Sequence, residues 1–191
     1  MEQTQLEKDQ IKCIIECLIF ASDTPLTVEK IKAVLEEKTK KEIKELVEEL
    51  VQDYQNLDRG ILIREVANGF QFCTKPEYAQ LLQKLRKTKP YQLSQPTLET
   101  LAIVAYKQPV TKAEIELVRG VDCGGVLRAL LEKKLIAIQG KKEVIGRPFL
   151  YATTTRFLEV FGLENLDSLP AIDEITQLKD SDIPLIEQDT Q

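Results

Sequence analysis

The chemically active groups of this sequence are thiols and carboxylates, because the chain contains no histidine. Its four cysteines form no Cys-x-x-Cys pair; they are Cys13, Cys17, Cys73 and Cys123. Without an imidazole, Ser-His and Cys-His nucleophiles, a histidine general base and most catalytic zinc sites are excluded. Cys13 and Cys17 stand one helical turn apart in an apolar stretch, so we expect them to be buried core thiols. No phosphate-binding loop is present either, so we expect no enzyme: no catalytic residues, no cofactor and no metal.

The charge distribution argues against a dedicated nucleic-acid binder. The chain has 191 residues with 26 Lys and Arg against 31 Asp and Glu, a formal net charge of −5. Residues 170–191 hold six acids and one lysine and therefore carry the whole excess, so residues 1–169 are neutral. Nucleic-acid binders are usually strongly basic. We expect 170–191 to be an acidic, mostly disordered tail, with a short partner-binding stretch around Ile183 to Ile186.

No apolar run approaches the ~18 residues that a membrane span needs. The first ten residues are polar and partly acidic, which does not suit a secretory signal. We therefore expect a cytoplasmic protein with no membrane contact.

A diverged repeat organises the body of the chain. The pattern Pro-x-Thr-x-x-x-Ile begins at Pro25 and returns at Pro109, 84 residues later. In the first copy we predict three helices. They are a helix over 6–21, a short helix that begins after the N-cap Thr27, and a helix over 40–57. Strands 61–66 and 70–74 follow, joined across Asn68-Gly69, the preferred pair for a two-residue turn. Three helices and a hairpin predict a winged helix-turn-helix.

The second copy repeats this order of elements. A helix over 94–106 is followed by the capping-box pair Thr111 and Glu114 and by a turn at Gly120. Asp122 is then the predicted N-cap of a third helix over 123–133. Wing strands over 135–138 and 149–152 and a further helix over 154–161 complete it. The predicted fold class is mainly α (α+β), with two tandem winged helix-turn-helix domains of three helices plus a β-hairpin wing each. We place the first domain at 1–75, a connecting helix and linker at 76–92, and the second domain at 93–169.

The charges on the third helices do not suit DNA binding. The first carries three lysines against five acids, and in the second Lys133 and Lys134 lie at the C-terminal end, where they complement the helix dipole. One further basic group lies in the linker region: Lys84, Arg86, Lys87 and Lys89. It is either a solvated helix end or a weak DNA-contact patch.

Surplus apolar surface points to polypeptide partners instead. Between Ile11 and Ala21 only Lys12 and Glu16 are polar, so this helix needs cover from the connecting helix or from a second copy of the chain. The wing segment Gly146-Arg147-Pro148 either only shapes the turn or presents Arg147 to a partner.

Several motifs resemble one known family. They are Leu98 to Thr111, Glu114-Ile115, Arg119-Gly120-Val121, Gly146-Arg147-Pro148-x-Leu150-Tyr151, Phe157-Leu158 and Phe161-Gly162-Leu163. Together they closely resemble segregation and condensation protein B over about residues 93–170, and the element order agrees over 11–86. The family usually has a small polar pair after Arg-Gly-Val, whereas this chain has Asp122-Cys123.

The resemblance implies a non-enzymatic subunit of a bacterial condensin-like complex that acts in chromosome condensation and partition. Its partners would be a second copy of the chain, the kleisin segregation and condensation protein A and, through the kleisin, the SMC ATPase, in a nucleoid-associated assembly. DNA would be contacted only indirectly or weakly.

From this resemblance and the apolar surplus we expect two sets of contact residues. The dimer interface would contain Ile14, Ile15, Leu18, Ile19 and Phe20. The kleisin-binding residues would be Leu101, Tyr106, Arg147, Tyr151, Phe157 and Phe161. The alternative is a winged-helix DNA-binding transcription regulator.

Overall fold

The computed structural model describes residues 2–56, 58–86 and 93–171, and the side chains of 2–6 and of residue 86 are not described. Two tandem winged-helix domains form a mainly helical α+β chain, as the element order predicts. The first domain contains α1 (Glu2–Ala21), α2 (Val28–Val34), α3 (Lys40–Asn56), β1 (Ile61–Val66) and β2 (Gly69–Thr74). A 3-10 turn (Pro76–Tyr78) and α4 (Ala79–Arg86) follow, in the place of the predicted connecting helix.

The second domain contains α5 (Gln95–Lys107), β3 (Val110–Thr111), α6 (Lys112–Arg119), α7 (Gly124–Glu132), β4 (Ile136–Lys141), β5 (Phe149–Thr153) and α8 (Thr155–Phe161). Its sheet has the order β3-β5-β4 with antiparallel neighbours. The first domain has a matching arrangement, because Leu26 makes an isolated bridge to Phe70 of β2 where the second domain has β3 on β5. Thr27 and Thr111, which the repeat aligns, are the N-caps of α2 and α6.

Each domain has its own hydrophobic core. In the first, the apolar stripe of α3 packs on α1 and α2, with Ile15, Ile31, Ile43 and Val47 fully buried. In the second, α5, α6 and α7 meet around Val104, Ile115, Leu127 and Leu130. The hairpin turn of the first domain touches the second domain, where the Ala67 N–H donates to the Leu163 carbonyl at 2.9 Å and Ala67 joins the second core.

The turn between β1 and β2 differs from the prediction by one residue. Its two central residues are Ala67 and Asn68, with φ of 52° and 57°, and not Asn68 and Gly69. Gly69 is paired with Val66 inside the hairpin. A Cβ at Gly69 would lie 3.0 Å from the backbone carbonyl carbons of Pro25 and Leu26, so the glycine is used for close approach of another segment.

A charged network joins α6 to the second wing. The Glu114 carboxylate accepts from the Thr111 N–H at 2.8 Å and completes the predicted capping box. The other Glu114 oxygen pairs with the Lys142 ammonium at the start of the wing loop. These interactions lower the pKa of Glu114 to about 2, and the hydrogen bond from Lys142 has the largest effect.

The Glu114→Gln change is expected to destabilise the chain at neutral pH. A carboxyl whose pKa is lowered on folding stabilises the native state above its unfolded pKa and loses that contribution as the pH falls through its folded pKa. Solvent screens this half-exposed group, so we expect a loss of about 0.5–1 kcal/mol at pH 7. The difference from wild type should shrink as the pH falls from about 4.5 towards 2.

Urea unfolding followed by circular dichroism between pH 7 and pH 3 measures this effect. Glu143→Gln is the matched control, because Glu143 pairs with Arg147 on the same wing with a side chain that is 82% exposed. A Glu114→Gln chain as stable as the control at pH 7 would contradict the stabilising role of the network.

Candidate protein-interaction surfaces

One face of α1 is left uncovered by the fold. Phe20 is 77% exposed and Ile14 is 44% exposed. Cys13 and Cys17, at helical spacing from Phe20, are also exposed, so the expectation of buried core thiols is wrong for both. The described part of the predicted connecting segment, residues 76–86, leaves these side chains exposed. We call the surface formed by Cys13, Ile14, Cys17 and Phe20 the α1 face.

The opposite side of α1 faces the core of its own domain. Ile15 and Ile19, predicted as dimer contacts, are 0% and 2% exposed, so they cannot contact a second chain without unfolding. Leu18 is half-buried and packs against the same core. Helical periodicity separates the predicted set in two, with Ile14 and Phe20 facing outward.

Polar contacts determine which side of α1 faces inward. Lys12 pairs with Asp53 of α3, and the pKa of Lys12 is raised, mainly by this hydrogen bond. The Tyr54 hydroxyl donates to the Glu16 carboxylate, and burial followed by this contact raises the Tyr54 pKa. Lys8 adds an ion pair with Glu49 at 2.6 Å. Both polar residues of the apolar stretch thus attach α1 to α3 and turn the α1 face to solvent.

The outer side of α3, the third helix of the first domain, is acidic. A shallow depression on it is lined by Glu45, Glu48, Glu49, Gln52 and Asp53. Each of these carboxylates pairs with a lysine, so the depression does not offer phosphate the row of unpaired cations that a duplex-binding helix needs. The structure therefore supports the charge argument against DNA binding through this helix.

The predicted kleisin residues of the second domain fall into two groups. Leu101 and Phe157 are 2% and 3% exposed and belong to the core, so they cannot be direct contacts. Phe161 is 43% exposed and its ring lies 4.9 Å from that of Phe157. Tyr106 is half-buried and donates its hydroxyl to the Pro170 carbonyl at 2.7 Å. Tyr151 is half-buried on β5, between Val110 and Ile138.

Arg147 lies at the tip of the second wing, apart from that core. Its guanidinium is 3.1 Å from the Glu143 carboxylate, and its side chain is 68% exposed. The same tip exposes Val144, Ile145 and Phe149, with Ile145 fully exposed. Sequence reasoning missed these apolar residues. A useful signal was the pair Val144-Ile145 between Glu143 and Gly146, because a wing loop has no core to bury two adjacent branched side chains.

A second surface missed from the sequence lies on α6. Leu117 is 85% exposed, and Val118 and Val121 are about half exposed. Beside them Lys112 bridges Asp122 at 2.8 Å and Glu116 at 3.2 Å, which raises the pKa of Lys112 and lowers that of Asp122. The two-residue spacing of Leu117 from the buried Ile115 placed Leu117 off the core stripe, which was the available signal. Val118, three residues from Ile115, gave no such signal.

The helix turn before α7 differs slightly from the prediction. Cys123 and not Asp122 is the N-cap residue of α7, although the Asp122 carboxylate accepts from the Gly124 N–H at 3.2 Å. Cys123 is fully buried, and this burial raises the pKa of its thiol. A protonated, enclosed thiol is a poor nucleophile.

The basic linker group is described only in part. Lys84 is exposed on α4, whereas the side chain of Arg86 and the residues Lys87 and Lys89 lie outside the described part. Among the described residues no group of three or more cysteines and carboxylates could hold a metal ion. No helix of the described chain is long and apolar enough to cross a membrane.

Comparison with known proteins gives matches to a single family. The model of the family "Segregation and condensation complex subunit ScpB" matches residues 13–172. Segregation and condensation protein B of Syntrophotalea carbinolica is 44% identical over 94% of this chain and 91% of its own length. That of Moorella thermoacetica is 43% identical over 87% of this chain and 85% of its own length.

Among solved structures, a dimer of the ScpB N-terminal domain complexed with ScpA peptide is 41% identical and covers 40% of this chain and 95% of that chain. Its TM-score is 0.38.

Proposed function

Because the chain belongs to the segregation and condensation complex subunit ScpB family, we propose that it is a non-enzymatic subunit of a condensin-like complex. It binds the kleisin segregation and condensation protein A and, through the kleisin, joins the SMC ATPase. The complex supports chromosome condensation and partition, and we place it in the cytoplasm on the nucleoid. Its DNA contact is indirect or weak.

The observation that carries this proposal is apolar surface left exposed on two well-packed winged helices. On the first domain the α1 face presents Phe20 and Ile14 beside two small thiols. Large exposed apolar side chains grouped on one helix face are typical of a protein interface. We therefore assign this face to a homodimer, in which two copies of α1 pack together.

We assign kleisin binding to the second domain. Its contact residues are the exposed or half-exposed members of the predicted set, namely Tyr106, Arg147, Tyr151 and Phe161. Leu101 and Phe157 lie in the core of the same domain, where Tyr151 packs against that core and Phe161 against Phe157. A few aromatic side chains and an arginine on a rigid domain form the usual energetic centre of a protein interface. The domain boundaries that accompany these roles are 1–75 for dimerisation and 93–169 for kleisin binding, with 76–92 connecting them and 170–191 as a tail.

Arg147→Glu is expected to weaken kleisin binding at least about 30-fold, the effect of losing one hot-spot side chain. The change is at an exposed wing tip, so the thermal unfolding of the chain should not change. Isothermal titration of the full chain with a purified kleisin fragment measures the affinity. Lys30→Glu is the matched control, since it makes the same charge change on the exposed side of α2 in the first domain.

Two outcomes would contradict these assignments. Unchanged kleisin affinity in Arg147→Glu would reject the wing tip as a contact. No kleisin binding by the wild type, together with tight duplex binding that falls steeply with salt, would reject the function in favour of a DNA-binding regulator.

A further inference from the structure

A basic, partly apolar groove crosses the second domain at the base of its wing. It consists of two depressions of about 540 and 630 Å³ that share Arg156 as a lining residue. They lie where α7 ends, β4 begins and α8 begins. We call the surface formed by Leu131, Lys133, Lys134, Ile138, Arg156 and Val160 the basic groove. None of these residues belongs to the proposed dimer or kleisin contacts.

The groove combines cations with an apolar floor. Ile138 and Val160 are 44% and 45% exposed, which leaves their side chains partly uncovered. Lys134 and Arg156 are exposed around them, and Arg156 pairs with the Glu159 carboxylate at 2.9 Å. Lys133 is also exposed and already takes part in another interaction. The backbone beside Lys134 is held in place, because the Thr154 hydroxyl donates to its carbonyl oxygen. A ligand that suits this surface carries both acidic and branched apolar side chains.

One stretch of this chain has that chemistry. Residues 172–191 contain six acids and one lysine, whereas residues 1–169 are neutral. In their middle stands Ile183-Pro184-Leu185-Ile186, with Asp180 and Asp182 before it and Glu187 and Asp189 after it. We propose that residues 172–191 bind the basic groove of their own chain, with the Ile183 to Ile186 stretch on the apolar floor and the flanking carboxylates against Lys134 and Arg156.

The length of the chain permits this contact. The described residues end at Ala171, one residue after the carbonyl that Tyr106 holds, so the segment starts on the second domain itself. The twelve residues from Ala171 to Ile183 can span up to about 40 Å. A domain of about 77 residues has a radius of gyration of about 11 Å, so most of its surface lies within that span.

The covalent connection also favours residues 172–191 of the same chain over a separate acidic peptide as the occupant of the basic groove. A tethered segment with a short linker has an effective concentration of about millimolar. Even a weak contact is then well populated, and an acidic partner must displace the segment before it reaches the cations.

A photo-crosslinker in the full chain tests this proposal. We place p-benzoylphenylalanine at the position of Leu185, irradiate the purified protein at low concentration and low salt, and map the products by mass spectrometry. The expected products are intramolecular crosslinks to the peptides 131–138 and 154–160. The double change Lys134→Glu with Arg156→Glu should lower their yield at least about fivefold, as should a rise to about 0.5 M salt. Lys30→Glu, a charge reversal of the same kind on the other domain, should leave the yield within about twofold.

Each other outcome overturns the proposal. Crosslinks whose yield rises with protein concentration would show that the segment binds a second copy. Crosslinks that form only after addition of a kleisin fragment or a DNA duplex would show that the segment or the groove serves those partners. The absence of crosslinks to the groove, or a yield that the double change does not lower, would show that the segment lies elsewhere. Circular dichroism of each variant confirms that the exposed substitutions leave the fold intact.

Discussion

Replacing Leu101 with aspartate is expected to unfold the second winged-helix domain, with a loss of at least about 4 kcal/mol in the free energy of unfolding. Leu101 is 2% exposed and lies on α5 in the cluster with Val104, Leu127 and Leu130. The change removes a buried apolar side chain and leaves a cavity, which by itself costs about 2–5 kcal/mol. It also places a carboxylate without a partner among hydrocarbon side chains, which adds a further cost.

Urea unfolding followed by circular dichroism measures this loss. Leu117→Asp is the matched control, because Leu117 is 85% exposed on α6 and its change should cost less than about 0.5 kcal/mol. A stable, cooperatively unfolding Leu101→Asp chain would contradict the position of Leu101 in the core. If the domain unfolds as expected, loss of kleisin binding by this variant reports loss of the fold, so exposed residues such as Arg147 are the correct probes of the contact.

Phe20→Asp is expected to weaken the homodimer at least about 100-fold, which corresponds to about 2.7 kcal/mol. Phe20 is 77% exposed on the α1 face, and its ring packs edge-on against Phe72 at 6.0 Å between centroids. This contact holds an aromatic anchor in position before a partner arrives. In the proposed dimer, the change puts two carboxylates into an apolar contact that has no cation to receive them.

Sedimentation equilibrium over a range of concentrations measures the dimer dissociation constant. Leu85→Asp is the control, because Leu85 is 79% exposed on α4 and lies outside the α1 face. The exposed thiols give an independent readout. Alkylation of Cys13 and Cys17 should slow as wild-type protein dimerises and should stay fast in Phe20→Asp. Thiols that react equally fast at all concentrations would place the dimer interface on another surface.

Local interactions explain why much of the fold was predictable from sequence. The Thr111–Glu114 capping box, the N-cap Thr27 and the left-handed Gly120 at the end of α6 are confirmed, since each depends on residues within one or two turns. The prediction of the hairpin turn was wrong by one residue, because a contact between residues far apart in the sequence decides it. Asn68-Gly69 has the better local preference, but the approach of Pro25 and Leu26 to Gly69, more than 40 residues away along the chain, requires the glycine in the strand.

The sequence by itself determined the two winged helices, their order and the charge balance that separates this chain from duplex binders, because spacing, caps and composition are properties of the chain alone. Only the tertiary structure decided which apolar residues remain available to partners. In a helix that is apolar on nearly all sides, periodicity cannot show which side packs inward. In α1, Lys12 and Glu16 contact α3 on the side that buries Ile15 and Ile19, so those two isoleucines stabilise the fold while Phe20 stays exposed.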